Sequence, residues 1–272
     1  MKHSALFDGK NVYITGGSSG IGQATAGHLA AAGANVMILA RNEVRLKKAV
    51  DIIRRAGRKT AWMSVDVTDP VATTSVFARA AADFGPPDIL INSAGQARPN
   101  YFEHITADQF EATLKLNLFG IRHAVAAALP HMRTGGHIVN VSSVAGLIGV
   151  FGYTDYSASK FAVIGFSEAL RAELKPKGIT VSVLCPPDTD TPGLEAENLT
   201  KPAETKAISA NARTISPETV ASALTRGMMK KQFLIIPGFD ARLSVLAKRM
   251  VPGVVEWVMN RTIARINKTT EP

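Results

Sequence analysis

An α/β fold, one doubly wound parallel sheet with helices on both faces, is predicted by three observations. Short apolar runs recur along the chain with helical stretches between them, the runs stay apolar at successive positions, and the first leads through a glycine-rich turn into a helix. The first strand is Asn11–Thr15, and a helix rich in Ala and Leu follows the turn from residue 20 to about 32. Further strands are expected at 35–40, 60–65, 89–92, 137–142 and 180–185. Runs such as Val36-Met37-Ile38-Leu39 lack polar alternation, as expected of strands covered by helices on both sides. Helical patterns over 108–132 and 157–175 flank the strand at His137 and offer faces for a homo-oligomer, a dimer or tetramer.

After Gly238 the character changes. Residues 239–268 read as basic, apolar-striped helix broken by Pro252-Gly253. Phe239, Leu243, Leu246 and Met250 share one face at 3.6 residues per turn, and Val255, Val258, Met259 and Ile266 form a second stripe. Arg242, Lys248, Arg249, Arg261, Arg265 and Lys268 flank the stripes, a pattern suited to peripheral contact with an anionic membrane surface. The expected organisation is a sheet domain over 1–238 and a C-terminal basic amphipathic helical extension over 239–272.

Composition narrows the class. The 272 residues are 46% hydrophobic and 19% charged, which excludes a disordered chain. A net charge of +9 favours anionic partners, but aromatics are only 6% and no zinc-finger, RNA-recognition or basic-zipper pattern is present, so nucleic acid is not expected. Cys185 is the one cysteine, which excludes an internal disulfide and a Cys-based zinc site; no metal is expected. Residues 1–10 lack the apolar stretch of a signal peptide, and no segment has the uninterrupted apolar length of a transmembrane helix. The expectation is a cytoplasmic protein, peripheral at most to a membrane.

The turn Thr15-Gly16-Gly17-Ser18-Ser19-Gly20-Ile21-Gly22 lies between strand and helix. Its glycines let backbone N–H groups approach a pyrophosphate, and the helix N-terminus adds partial positive charge, the arrangement of a Rossmann-type dinucleotide site. At the end of the second strand, where a carboxylate would meet a ribose 2′-hydroxyl, stands Ala40-Arg41. Arg41 suits a 2′-phosphate, with Arg45 one turn later, so NADPH/NADP+ is expected over NAD(H). Tyr156 and Lys160, in Tyr-Ser-Ala-Ser-Lys, are spaced to share a helix face. A nearby ammonium lowers a phenol's pKa, preparing tyrosine to exchange a proton with a carbonyl or alcohol oxygen. Ser142-Ser143 ends a strand at the crevice; spacing leaves the two open, and Ser143 is preferred.

These residues together resemble the short-chain dehydrogenase/reductase family from Gly9 to about Gly238, through the glycine turn, Asp66 in Val-Asp-Val-Thr-Asp, Asn92-Ser93-Ala94-Gly95, Asn117, Ser143 and Tyr156 to Lys160. The resemblance implies a catalytic tetrad of Asn117, Ser143, Tyr156 and Lys160. In it Tyr156 protonates the ketone, Ser143 hydrogen-bonds it, Lys160 binds the nicotinamide ribose, and Asn117 supports a water-linked relay. It also places Asp66 and Val67 at the adenine end, Asn92, Ala94 and Gly95 near the ribose, and Pro186, Thr189 and Thr191 near the nicotinamide. One departure is Pro186-Pro187, where the family usually has Pro-Gly. That run, with Glu197-Asn198 and the Thr200 to Thr205 segment, is similar to the family's 3-ketodihydrosphingosine reductase subgroup, which implies a lipid-like ketone substrate and NADPH. Steroid, retinoid or 3-ketoacyl ketones are the alternative substrates, and a non-catalytic NADP(H)-binding scaffold is the alternative of another class.

Overall fold

A computed structural model of the chain describes residues 6–55, 59–210 and 213–270. Its strands are β1 (Asn11–Thr15), β2 (Asn35–Ala40), β3 (Thr60–Ser64), β4 (Ile89–Asn92), β5 (His137–Val141), β6 (Thr180–Leu184) and β7 (Leu234–Ile235). They form one sheet in the order β3-β2-β1-β4-β5-β6-β7, and every pairing is parallel. The chain builds outward from β1 to β3, then returns to β4 beside β1 and builds the other way. That reversal opens a crevice at the carboxyl ends of β1 and β4.

The helices are α1 (Gly20–Ala31), α2 (Glu43–Arg54), α3 (Pro70–Asp83), α4 (Ala107–Leu114), α5 (Gly120–Ala128), α6 (Thr154–Leu174), α7 (Pro192–Thr200), α8 (Ala203–Ala210), α9 (Pro217–Met229), α10 (Phe239–Met250) and α11 (Pro252–Thr270). Successive strand residues point to opposite faces. Val12, Ile14, Val36 and Ile38 therefore pack with Leu29 of α1, Leu46 and Ile53 of α2, and Leu224 of α9. Tyr13, Met37, Leu39 and Leu90 pack on the other side with Phe77 of α3, Ile121 and Val125 of α5, and Val163 and Leu170 of α6. Both faces are covered, which is why the strands read as unbroken apolar runs.

Helix starts follow local chemistry. Asn42 caps α2, Asp69 caps α3 and is followed by Pro70, and Ser216 caps α9 ahead of Pro217. The helical pattern over 108–132 is not one helix. A π-helical segment, Lys115–Phe119, separates α4 from α5, and a 3-10 turn at Leu129–His131 containing Pro130 ends α5. The extra residue of a π turn leaves no trace in a 3.6-residue period over so short a span. The strand β7 was not foreseen either: two residues are too few for periodicity to register.

In the C-terminal extension α11 packs against α8 and α10. Phe239, Leu246, Met250 and Trp257 nevertheless remain exposed. The side chain of Lys268, counted among the flanking cations, lies outside the described residues. No helix among the described residues is long and apolar enough to cross a membrane.

Candidate active site

A cavity of about 1050 Å³ opens at the carboxyl ends of the strands. The glycine turn after β1 supplies Gly16, Ser18, Ser19, Gly20 and Ile21 to its wall, and the ends of β2 and β3 supply Arg41, Asp66 and Val67. Ala94 and Gly95 follow β4, Ser143 follows β5, Tyr156 and Lys160 come from α6, and Pro186, Thr189 and Thr191 follow β6. Leu243 and Ala247 of α10 with Val254, Val258 and Met259 of α11 form an apolar wall. The extension is thus part of the cavity's lining.

The turn fits a dinucleotide phosphate. Gly16 has φ of +70°, and a Cβ there would fall 2.6 Å from the Ala94 nitrogen, so only glycine permits this approach. A Cβ on Gly22 would fall 2.3 Å from the Gly16 carbonyl oxygen. Gly22 does not line the cavity; it lets α1 close onto the turn. Ser19 stands at the N-cap of α1 and its side chain makes no capping bond, so the helix's leading N–H groups are left to an anion in the cavity.

At the β2 end, Arg41 is largely exposed and its Nη1 lies 3.8 Å from Asp66 Oδ2, a loose surface pair. Asp66 Oδ1 accepts hydrogen bonds from the Thr68 backbone nitrogen at 2.9 Å and its hydroxyl at 2.8 Å, which fixes the turn after β3. Arg45 also lines the cavity, and its backbone nitrogen donates to the capping Asn42 side chain. Arg41 and Arg45 therefore both line this end of the cavity, together with Asp66.

The α6 end holds the reacting groups. Asp155, wholly buried in the first turn of α6, accepts the Tyr156 backbone N–H at 2.7 Å, the Thr113 hydroxyl at 2.7 Å and the Gln109 amide at 3.3 Å. This carboxylate ties α4 to the start of α6 and sets where Tyr156 stands. Lys160 follows one turn later; its Nζ lies 5.5 Å from the Tyr156 ring centroid and donates to the Val141 carbonyl at 3.0 Å. Ser142 Oγ donates to the Lys160 carbonyl at 2.8 Å and is consumed by structure. Both serines line the cavity, but Ser143 Oγ accepts from the Ala145 nitrogen at 3.1 Å, reaches the Pro186 carbonyl only at 3.5 Å, and acts on the Tyr156 phenol. Ser142 is committed to the backbone, and Ser143 is the serine that acts on Tyr156.

Asn117 sits in the π segment behind the cavity wall. Its Oδ1 accepts from the Gln96 nitrogen at 2.9 Å, and its Nδ2 donates to the Gln96 carbonyl at 2.9 Å and to Ser159 Oγ at 3.0 Å. Asn92 is also behind the wall: its amide donates to Asn140 Oδ1 at 2.9 Å, which locks β4 to β5. Thr189 donates its hydroxyl to the Pro187 carbonyl at 2.9 Å, and Thr191 caps α7 by accepting from Leu194 at 3.2 Å.

Burial pushes the Tyr156 phenol well above its ordinary range; the charge of Glu197 adds to this and the hydrogen bond from Ser143 opposes it. Burial also draws the Lys160 ammonium down from 10.5 to about 8, with Cys185 and Glu197 opposing. The expected lowering of the phenol by Lys160 is not seen: burial dominates, and the opposing effect comes from Ser143. At neutral pH the phenol carries its proton, as a donor to a carbonyl oxygen must.

Sequence reasoning missed several groups here. Asp155 precedes the tyrosine, but nothing in its spacing signals complete burial. Tyr153, whose ring centroid lies 5.5 Å from that of Tyr156, donates its hydroxyl to Glu197 Oε2 at 2.8 Å. Lys201, almost fully buried, pairs with Asp188 at 3.2 Å and pins α7 over the cavity.

A glycine turn at the switch point of a parallel sheet, sharing its cavity with a Tyr–Lys pair, defines a nicotinamide-dinucleotide-dependent oxidoreductase acting on a ketone/alcohol pair. The chain belongs to the short chain dehydrogenase family, which matches it over residues 10–202. It is 41% identical over 253 residues to a 3-dehydrosphinganine reductase from Danio rerio, covering 90% of this chain and 76% of the relative. It is 40% identical over 252 residues to a 3-ketodihydrosphingosine reductase from Mus musculus, with the same coverage of 90% and 76%. Among solved structures it resembles a short chain dehydrogenase/reductase from Burkholderia phymatum in complex with NAD, with TM-score 0.81, 26% identity, and coverage of 91% of this chain and 95% of that one. A dehydrogenase/reductase from Sinorhizobium meliloti 1021 is similar with TM-score 0.78 and 28% identity, covering 88% of this chain and 98% of that one.

Proposed function

We propose that the protein uses NADPH to reduce the ketone of a long-chain lipid, 3-ketodihydrosphingosine, to dihydrosphingosine, a step of sphingolipid biosynthesis. The observation that carries the reaction is the Tyr156–Lys160 pair beside Ser143, opening on the cavity that begins at the glycine turn. The names of the reductases that the chain resembles support the substrate, and the apolar wall from α10 and α11 suits an aliphatic tail. The cavity, at about 1050 Å³, is at or above the roughly 300–1,000 Å³ of a single small-molecule site, which favours a dinucleotide together with part of a ketone.

In this reading the glycine turn and the start of α1, from Gly16 to Gly22, hold the pyrophosphate, and Arg41 with Arg45 holds the 2′-phosphate that distinguishes NADPH. Asp66 and Val67 meet the adenine, Ala94 and Gly95 the ribose region with Asn92 bracing them, and Pro186, Thr189 and Thr191 the nicotinamide end. When bound, NADPH supplies the hydride that goes to the carbonyl carbon. Ser143 donates a hydrogen bond to the carbonyl oxygen and Tyr156 transfers its phenolic proton there, so ketone, hydride and proton balance as the alcohol. Lys160 holds the nicotinamide ribose and steadies the phenolate left behind. Asn117, through the Gln96 carbonyl and a water, supports the path that returns a proton to Tyr156.

Two partners complete the reading. A homo-oligomer, dimer or tetramer, is supported by Phe119 and Phe161, which stand exposed in the π segment and on α6. Peripheral contact of a cytoplasmic protein with a membrane surface is supported by exposed Phe239, Leu246, Met250 and Trp257 beside Arg242, Arg249 and Arg261. The test of the function is NADPH oxidation with 3-ketodihydrosphingosine beside steroid, retinoid and 3-ketoacyl ketones. Selective turnover of the long-chain amino ketone is expected, and faster turnover of another class would replace the substrate.

A further inference from the structure

The acidic residues that line the cavity among the described residues are Asp66, Asp188 and Glu197. Two have counter-ions: Arg41 for Asp66 at 3.8 Å, and Lys201 for Asp188 at 3.2 Å. Glu197, half-buried on the inner side of α7, makes no ion pair among the described residues. Its Oε2 accepts the Tyr153 hydroxyl at 2.8 Å, and Oε1 accepts no hydrogen bond from them. Because Tyr153 and Tyr156 have ring centroids 5.5 Å apart, this carboxylate stands one aromatic ring away from the proton donor.

A carboxylate sheltered from water without a cation at contact distance is unfavourable unless a ligand brings one. Burial, with Asp188, raises the Glu197 carboxyl above its ordinary value against the opposing effects of Tyr153, Lys201 and Lys160, so the two lysines do not offset its desolvation. Resting on the function proposed above, the ketone is a 2-amino ketone, whose ammonium nitrogen is attached to the carbon next to the reacting carbonyl. With the carbonyl oxygen at Tyr156, that nitrogen lies on the scale of the neighbouring ring, where Glu197 is.

We propose that Glu197 receives the ammonium beside the reacting carbonyl and thereby selects long-chain 2-amino ketones over neutral ketones of equal length. Oε1 is the acceptor, and Tyr153 holds the carboxylate in place through Oε2. Lys201 and Asp188 act one step further out, pinning the end of α7 so that Glu197 keeps its position. Apolar contacts along the tail discriminate weakly between chains of similar length, whereas a buried polar group left unpaired by a neutral analogue discriminates strongly.

The test compares kcat/KM for 3-ketodihydrosphingosine with that for its N-acetyl derivative, which keeps chain and ketone and lacks the charge. The wild-type protein is expected to prefer the amine by roughly 10- to 100-fold, the range of a hydrogen bond to a charged group. Glu197→Gln keeps an acceptor for Tyr153 and should collapse that preference towards unity, while Glu197→Asp should retain part of it; NADPH binding reports that each variant is folded. A purely structural role for Glu197 would slow both ketones by the same factor and leave the preference intact, and that result overturns the inference. Equal use of both ketones by the wild-type protein overturns it too, while leaving the proposed reduction standing. If the wild-type protein turns over neither ketone, the proposed function and this inference fall together.

Discussion

Tyr156, Lys160 and Arg41 carry the predictions that belong to single side chains. Tyr156→Phe removes the proton and keeps the ring, so turnover should fall about 100- to 10,000-fold while NADPH still binds; a rate near wild type would remove Tyr156 from the chemistry. Lys160 is drawn down to about 8 in the folded protein, so its charge is present below that pH and lost as pH rises through it. If the charged form holds the ribose, kcat/KM for NADPH should fall across that interval, and a profile flat to about pH 10 would deny Lys160 the role. Arg41 is 63% exposed at its side chain, so its bond to a 2′-phosphate belongs at the low end of roughly 1.5 to 3 kcal/mol. Arg41→Ala should therefore weaken NADPH roughly tenfold and leave NADH nearly unchanged, and equal losses for both would refute the phosphate contact. Of these residues the tyrosine, lysine and arginine are legible from sequence through spacing and position. Asp155 and Glu197 are not, because what marks them is burial and the groups around them.

At the scale of elements, the strands were readable because continuous apolar runs bounded by turns are local signals. The caps Asn42, Asp69 and Ser216 are just as local, acting within three residues of themselves, but formed no part of the expectations drawn from sequence. The π segment that carries Asn117 was not readable. It is stabilised by packing against Gln96 and Ser159, 21 and 42 residues away. The pair α10 and α11 shows both conditions at once: the amphipathic stripes were visible, yet the same helices line the cavity and leave Phe239, Met250 and Trp257 in solvent. Full-length protein should co-sediment with anionic vesicles at low salt, less so at high salt, and a truncation after Gly238 that keeps its circular dichroism should not. Absence of binding by the full chain would reduce the extension to a cavity wall.

For the whole molecule, one domain of parallel sheet organises every functional group around the crevice between β1 and β4. An assembly through the surface that bears Phe119 and Phe161 should sediment as a small multiple of the 28.9 kDa chain, and Phe161→Glu should shift it towards one chain; a monomeric wild-type protein would exclude this arrangement. The parallel sheet, the glycine turn, the Tyr–Lys spacing and the Ala40-Arg41 step after β2 are legible along the chain. Each is a local requirement: strand length, glycine's backbone freedom, or spacing along one helix. Folding in space, by contrast, commits Ser142 to the Lys160 carbonyl, raises the Tyr156 phenol by burial, and leaves Glu197 beside Tyr153 with no ion pair among the described residues. Those outcomes depend on groups far apart in the chain, such as Thr113 with Asp155 and Tyr153 with Glu197, separated by 42 and 44 residues. Desolvation and charge are sums over all neighbours in space, and no spacing along the chain encodes them.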